Sequence, residues 1–228
     1  MIRAAVVCPH PPLMFRELSG CRDALPELRE ACLSALKDLV AQHPERVIVL
    51  GGAAATRAWD SRLLPEVRRF GAGGAAEPPG LPLSLGVGVR LLNSVGWNGE
   101  VTLYGIAWDA PVSEVDGVAE WLAAHNGPAG LLVLADGSAR RGEHAPGSLD
   151  RRSFAFDAET SAALREGDVE GLLAIDPALA NELMAGGRSA LQVLASVVRD
   201  QASTPEPTLV YEDDPLGVMY HVATWRLS

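Results

Sequence analysis

Two short stretches carry the side chains whose type and placement suit chemistry: Cys8-Pro9-His10-Pro11-Pro12, and Asp136-Gly137-Ser138-Ala139-Arg140 with His144 downstream. A histidine just beyond a buried strand is placed like a metal ligand or an acid–base group. From position alone, however, His10 reads as a structural histidine bonded to backbone. Asp136 would bind a metal or orient a base, against the plainer reading of a turn residue before Gly137. His144 would swing over a pocket or stand in solvent as a loop histidine. His43 and His125 fall near helix C-termini, where an imidazolium meets the macrodipole favourably, and His221 lies inside a strand as a packing residue. Gly51-Gly52-Ala53-Ala54-Ala55-Thr56 follows a strand but lacks the spacing and the lysine of a phosphate loop. The chain contains neither a G-x-S-x-G elbow nor an H-E-x-x-H helix.

The elements that must position these residues follow from hydrophobic periodicity. Ile2–Val7, Arg46–Leu50, Glu100–Ala107 and Gly130–Leu134 read as strands, and Thr208–Tyr211 with Val218–Trp225 as a C-terminal pair joined by turn chemistry. Helices are expected over Leu25–His43, Leu83–Val95, Val115–His125, Phe154–Arg165, Val169–Ile175, Pro177–Met184 and Ser189–Gln201. Asp157, Asp168 and Asp176 are expected as N-caps or first-turn acids. The stretch from Ala53 to Pro82 reads as irregular, with at most a short helix near Leu63–Phe70. Strands alternating with helices predict an α/β fold. It would be a single domain over residues 1–228, with a central, mostly parallel sheet, helices on both faces and a C-terminal antiparallel hairpin. In such sheets the ligand crevice lies beyond the carboxyl ends of the strands, so the loops after Val7, Leu50 and Leu134 are expected to converge.

Composition narrows the function classes. The chain has 228 residues, 48% of them hydrophobic, and a formal net charge of −10. That charge repels phosphate backbones and argues against nucleic-acid and anionic-membrane partners. Arg140-Arg141 and Arg151-Arg152, two local basic clusters, read as solvated loop charge. The opening apolar run stops at Pro9, too short for a secretory signal or a span. Cys8, Cys21 and Cys32 lack metal-ligand spacing and read as reduced thiols, mostly buried, so a cytoplasmic location is expected. Lys37 stands alone among many arginines, a bias that suggests a high-GC genome.

Three ordered stretches resemble the catalytic B subunit of class III extradiol ring-cleavage dioxygenases. They are the opening strand with Pro9-His10-Pro11-Pro12-Leu13, then Leu134 to Arg140 with Ala145-Pro146-Gly147, and finally Tyr211 through Gly217-Val218-Met219-Tyr220. The helical pattern between the last two, from Phe156-Asp157 to Gly187-Arg188, is similar as well. The resemblance implies an Fe(II) site of two histidines and a glutamate, with another histidine moving protons. His10 matches the first ligand. Ala53 stands where the second histidine is expected, Ala139 where the acid–base histidine is expected, and Met184 where the glutamate is expected, with Glu182 close by. The implied function is therefore a dioxygenase-like protein without the usual iron chemistry or an iron cofactor. It would retain a crevice for a small molecule or peptide lined by His10, Asp136, Ser138, Arg140, His144 and Tyr211. One alternative is an active enzyme holding Fe(II) or another divalent metal in a rearranged site of His10, Asp136, His144 and Glu182. The other is a regulatory or structural partner of another protein.

Overall fold

The computed structural model describes residues 1–19, 22–67, 70, 80–124 and 127–228. Seven strands form one sheet in the order β3-β4-β2-β5-β1-β7-β6. The strands are β1 (Ile2–Cys8), β2 (Arg46–Ala53), β3 (Arg57–Trp59), β4 (Glu100–Ala107), β5 (Ala129–Leu134), β6 (Pro205–Asp213) and β7 (Tyr220–Leu227). The helices are α1 (Arg16–Ser19), α2 (Pro26–Val40), α3 (Leu83–Ser94), α4 (Val112–Ala123), α5 (Arg152–Glu166), α6 (Val169–Leu173), α7 (Pro177–Glu182) and α8 (Arg188–Asp200). The central strands β4, β2, β5 and β1 run parallel, and β3, β7 and β6 add antiparallel pairings at the two sides. This is the expected α/β architecture with its C-terminal hairpin, and β7 also pairs with β1, so the hairpin extends the main sheet. No helix among the described residues is long and apolar enough to cross a membrane.

The unbroken apolar runs of β1, β2 and β5 reflect burial on both faces, the usual state of a parallel strand. Successive side chains alternate between two cores. Ala5, Val7, Ile48, Leu50, Leu131 and Val133 meet α4, α8 and the start of the α5–α6 layer. Val6, Cys8, Val47, Val49, Leu132 and Leu134 meet α2 and α3. β6 alternates half-buried and exposed residues and tolerates Pro205 and Pro207 because it is an edge strand. Glu212 lies opposite His221 across the hairpin.

Several expectations shift in detail. The second helix ends at Val40, three residues short of His43, which takes a left-handed φ of 51°. β2 runs through Gly51-Gly52 to Ala53 rather than stopping at Leu50. The residues Leu63–Val67 form no helix, and Pro65 makes a lone parallel bridge to Leu81. His125 and Cys21 lie outside the described residues. Asp168 and Asp176 cap α6 and α7 as expected, accepting from Gly171 N and from Ala178 N. Asp157 is no cap: α5 starts at Arg152, so Asp157 falls within the helix and points into the protein.

The buried face of α5 is partly polar. Asp157 and Ser161, four residues apart, share it, and Ser161 Oγ lies 2.8 Å from His221 Nε2. His221 is buried, and that burial holds its imidazole down from 6.5 to about 4, with Arg141 and Arg165 adding to the effect against Glu212. Its folded pKa lies below the unfolded one, so unfolding takes up a proton between the two values. The stability from neutral His221, about 3 kcal/mol for this shift, is complete above the unfolded pKa. It drains away as the pH falls through the folded one. Urea unfolding of the wild type between pH 7 and about 4 is expected to show this loss. His221→Gln, which keeps a hydrogen-bonding partner for Ser161, should flatten the slope over that window.

Candidate functional site

The loops after β1, β2 and β5 do converge, because these strands are neighbours and in register at their ends: Leu134 stands beside both Cys8 and Gly51. Beyond β5 the chain continues as a ladder. Ala135 N donates to Cys8 O, Asp136 bridges to Tyr220, and Gly137 N donates to Met219 O. Three prolines hold the β1 loop extended until Pro12–Met14 closes a short 3-10 turn. The result fixes His10 against Asp136. The backbone N–H of His10 donates to Asp136 Oδ1 at 2.7 Å, and His10 Nδ1 lies 3.5 Å from the same oxygen. His10 is buried, and its Nδ1 has no hydrogen-bond partner among the described residues. Asp136 also accepts at its carbonyl from Gly187 N, the residue before α8.

Beside this pair opens a cleft of about 320 Å³. Pro11, Pro12 and Leu13 form one wall, Pro146, Met184 and Gly186 another, and Leu216 with Val218 a third, with Asp136, Ala139 and Tyr220 at the base. The cleft is therefore mainly apolar with one carboxylate, the usual make-up of a small-ligand site. Burial, with the nearby Asp136 carboxylate, pushes the Tyr220 phenol well above its ordinary value, so it stays a neutral hydroxyl.

A second polar cluster holds the cleft walls. Ser138 donates through its N–H and its hydroxyl to Asp157, at 2.9 and 2.5 Å. Arg141 bridges Asp157 (3.2 Å) and Asp214 (2.5 Å) and lies over the Phe154 ring. Burial raises the Asp157 carboxyl, while Ser138 and Arg141 pull it back down. Gly137 is required here, since a Cβ would sit 2.8 Å from Asp157 Oδ1. Through Asp214 the cluster fixes the turn that carries Leu216 and Gly217, and Arg141 N donates to Gly217 O.

The structure thus gathers some of the expected residues and separates others. His10 and Asp136 come together. Ser138 is buried on Asp157 and serves the wall rather than the cleft. Arg140 is half-buried, donating to the carbonyls of Gly147 and Glu182, and it braces the Pro146–Met184 wall. His144 is exposed. The Glu182 carboxylate pairs with Arg152 at 2.6 Å. Tyr211 packs against the α2 side of the sheet, where burial and Asp213 push its phenol up to about 12. Arg141 is not a solvated loop charge; its side chain is 13% exposed and ion-paired twice. The sequence does not mark Arg141, Asp157 or Tyr220 as residues of the site, although a lone Asp in the apolar phase of a helix is the signal for such a buried pair.

Gly51-Gly52 serves packing, not phosphate. A Cβ on Gly52 would meet the Trp108 indole at 2.6 Å and Gly186 O at 3.0 Å. Ala53 is fully buried beyond it. Among the described residues, no three His, Cys, Asp or Glu side chains converge as a metal would need.

No family model matches the chain, and no curated protein matches it. Among solved structures, an uncharacterized protein from Escherichia coli K12 is similar, with a TM-score of 0.54 and 13% identity over 98% of this chain and 99% of that one. At that identity the likeness concerns the fold alone. Fold and cleft together define a single-sheet α/β protein with a crevice at the carboxyl ends of its central strands.

Replacing Arg141 by Met strands the Asp157 carboxylate in the interior. The expected cost is about 3 kcal/mol of unfolding free energy, read as a lower urea midpoint. The double variant with Asp157→Asn should recover part of it.

Proposed function

We propose that this chain is a binding protein with a dioxygenase-like architecture, whose cleft takes a small, mainly apolar molecule that offers a hydrogen-bond donor to Asp136. The observation that carries the reading is the pairing of a largely apolar cleft with one carboxylate and no cationic side chain in its lining. An anionic ligand would meet Asp136 without a counter-charge, whereas an amine or hydroxyl donor would form a charge-assisted bond there. The proline-rich wall is rigid before a ligand arrives, which lowers the ordering cost of binding.

The ligand set implied for iron does not fit these residues. Ala53 and Ala139 have no lone pair to offer, Met184 supplies a thioether, and Glu182 is engaged by Arg152. Fe(II) needs several hard nitrogen and oxygen donors in fixed geometry, and His10 with Asp136 makes two. A second reading, a metal-dependent enzyme with a rearranged site, draws support from the partnerless Nδ1 of His10 beside that carboxylate.

A thermal-shift screen of small amines, phenols and alicyclic alcohols is expected to find stabilising compounds. Their affinity should fall about tenfold or more in Asp136→Asn, which keeps the acceptor for His10 N–H but removes the charge. It should also fall in Met184→Lys, which adds a cation to the lining that competes for Asp136. Hits indifferent to both variants would sink the binding reading. Anaerobic titration with Fe(II) and with Zn(II) tests the other: stoichiometric uptake that disappears in His10→Ala would assign the cleft to a metal.

A further inference from the structure

We propose that the groove between α5, α6 and α7 docks a basic segment of a partner protein that presents an apolar face. The groove has a volume of about 410 Å³ and lies away from the Asp136 cleft in its lining residues. Its floor belongs to a small satellite core in which Phe156, Ala180, Leu183 and Ala185 hold α7 to α5. That core is not closed on its outer side: Ile175 and Leu179 are only half-buried and face the groove.

The rim is acidic throughout. Glu159, Glu166, Asp168 and Asp176 line it, and none of the lining residues is Lys, Arg or His. All four rim residues are exposed. Asp168 and Asp176 spend one oxygen each on capping α6 and α7. Glu159 and Glu166 form no ion pair with a described residue, and the neighbouring Arg165 turns away to Glu212 at 2.6 Å. Among the described residues, the Glu159 and Glu166 charges therefore lack a counter-ion, on a chain whose formal net charge is already −10. Such a surface attracts cations at long range, and the apolar floor rewards burial of a non-polar side chain between them.

The complementary occupant has Lys or Arg flanking apolar anchors at helical spacing, the helix-in-groove mode of recognition. A protein segment suits the site better than a small molecule because the groove is open, spans three helices and carries its charges on exposed rims. Desolvated apolar contact at the centre and charge at the edge is the usual anatomy of a protein interface.

The test uses the full chain and a fluorescein-labelled synthetic helical peptide of leucine and lysine, read by fluorescence anisotropy. Saturable binding is expected. Glu159→Gln/Glu166→Gln should weaken it about tenfold, as should salt of about 0.5 M. Glu27→Gln/Glu30→Gln removes the same charge from α2 on the opposite face of the sheet and should leave binding unchanged. A peptide with serine in place of leucine should not bind. Absence of saturable binding, equal weakening by both charge variants, or equal binding of the serine peptide would overturn the proposal. So would concentration-dependent dimerisation abolished by Glu159→Gln/Glu166→Gln, which would assign the groove to a second copy of the chain.

Discussion

Everything at the carboxyl end of the sheet hangs on Asp136. Its carboxylate takes the backbone N–H of His10, its carbonyl takes the N–H of Gly187, and its backbone bridges to Tyr220. One residue therefore ties the loop after β1, the entry to α8 and the start of β7. Buried backbone donors and acceptors must find partners, and here irregular segments from distant parts of the chain find them on a single side chain and its own peptide. The cleft exists because these segments are held apart at a fixed spacing, with prolines stiffening one wall. The same carboxylate is the one charged group in the cleft lining, so on the proposed reading structural support and recognition draw on one set of atoms.

Around that junction lies a second layer of polar contacts. Ser138, Asp157, Arg141 and Asp214 form a chain from the β5 loop through α5 to the hairpin turn. A buried ion pair of this kind adds little net stability over apolar packing, yet breaking one half is costly. Its consequence is geometric: the Leu216 turn is held over the cleft. On α8, Arg188 donates to the carbonyls of Ala110 and Trp108, and Gln192 to those of Leu173 and Ile175. The polar residues of this nearly submerged helix thus satisfy the ends of the elements around it.

The proposed likeness to extradiol dioxygenases can be set against the geometry at specific positions. Where that family's iron chemistry calls for imidazoles and a glutamate, Ala53 is buried next to the Trp108-covered Gly52, and Ala139 and Met184 line an apolar cleft. The substitutions change the character of the crevice as a whole. On the proposed reading, a pocket that would present nitrogen and oxygen donors to a cation presents apolar side chains and a thioether instead. The likeness in fold to the Escherichia coli protein reaches almost the full length of both chains, and it leaves this local chemistry to be argued from the residues themselves.

The alternation of apolar runs and amphipathic stretches was enough to determine the α/β class, the parallel centre and the terminal hairpin, because strand and helix periods are local properties of the chain. His10 and Asp136 were legible as site residues for a similar reason: each follows a buried strand, and such loops gather at one edge of the sheet. The pairings were not legible. Asp157 has the look of a helix cap, and Arg141 of surface charge, until α5 folds back and sets Asp157 between Ser138 and Arg141. Tyr211 and Tyr220 share the α2 side of the sheet, since Tyr211 pairs with Val222, two residues from Tyr220; position along the hairpin separates them, and of the two Tyr220 lines the cleft. Contacts between residues a hundred positions apart depend on helix docking and strand register, and those are settled only when the whole core packs.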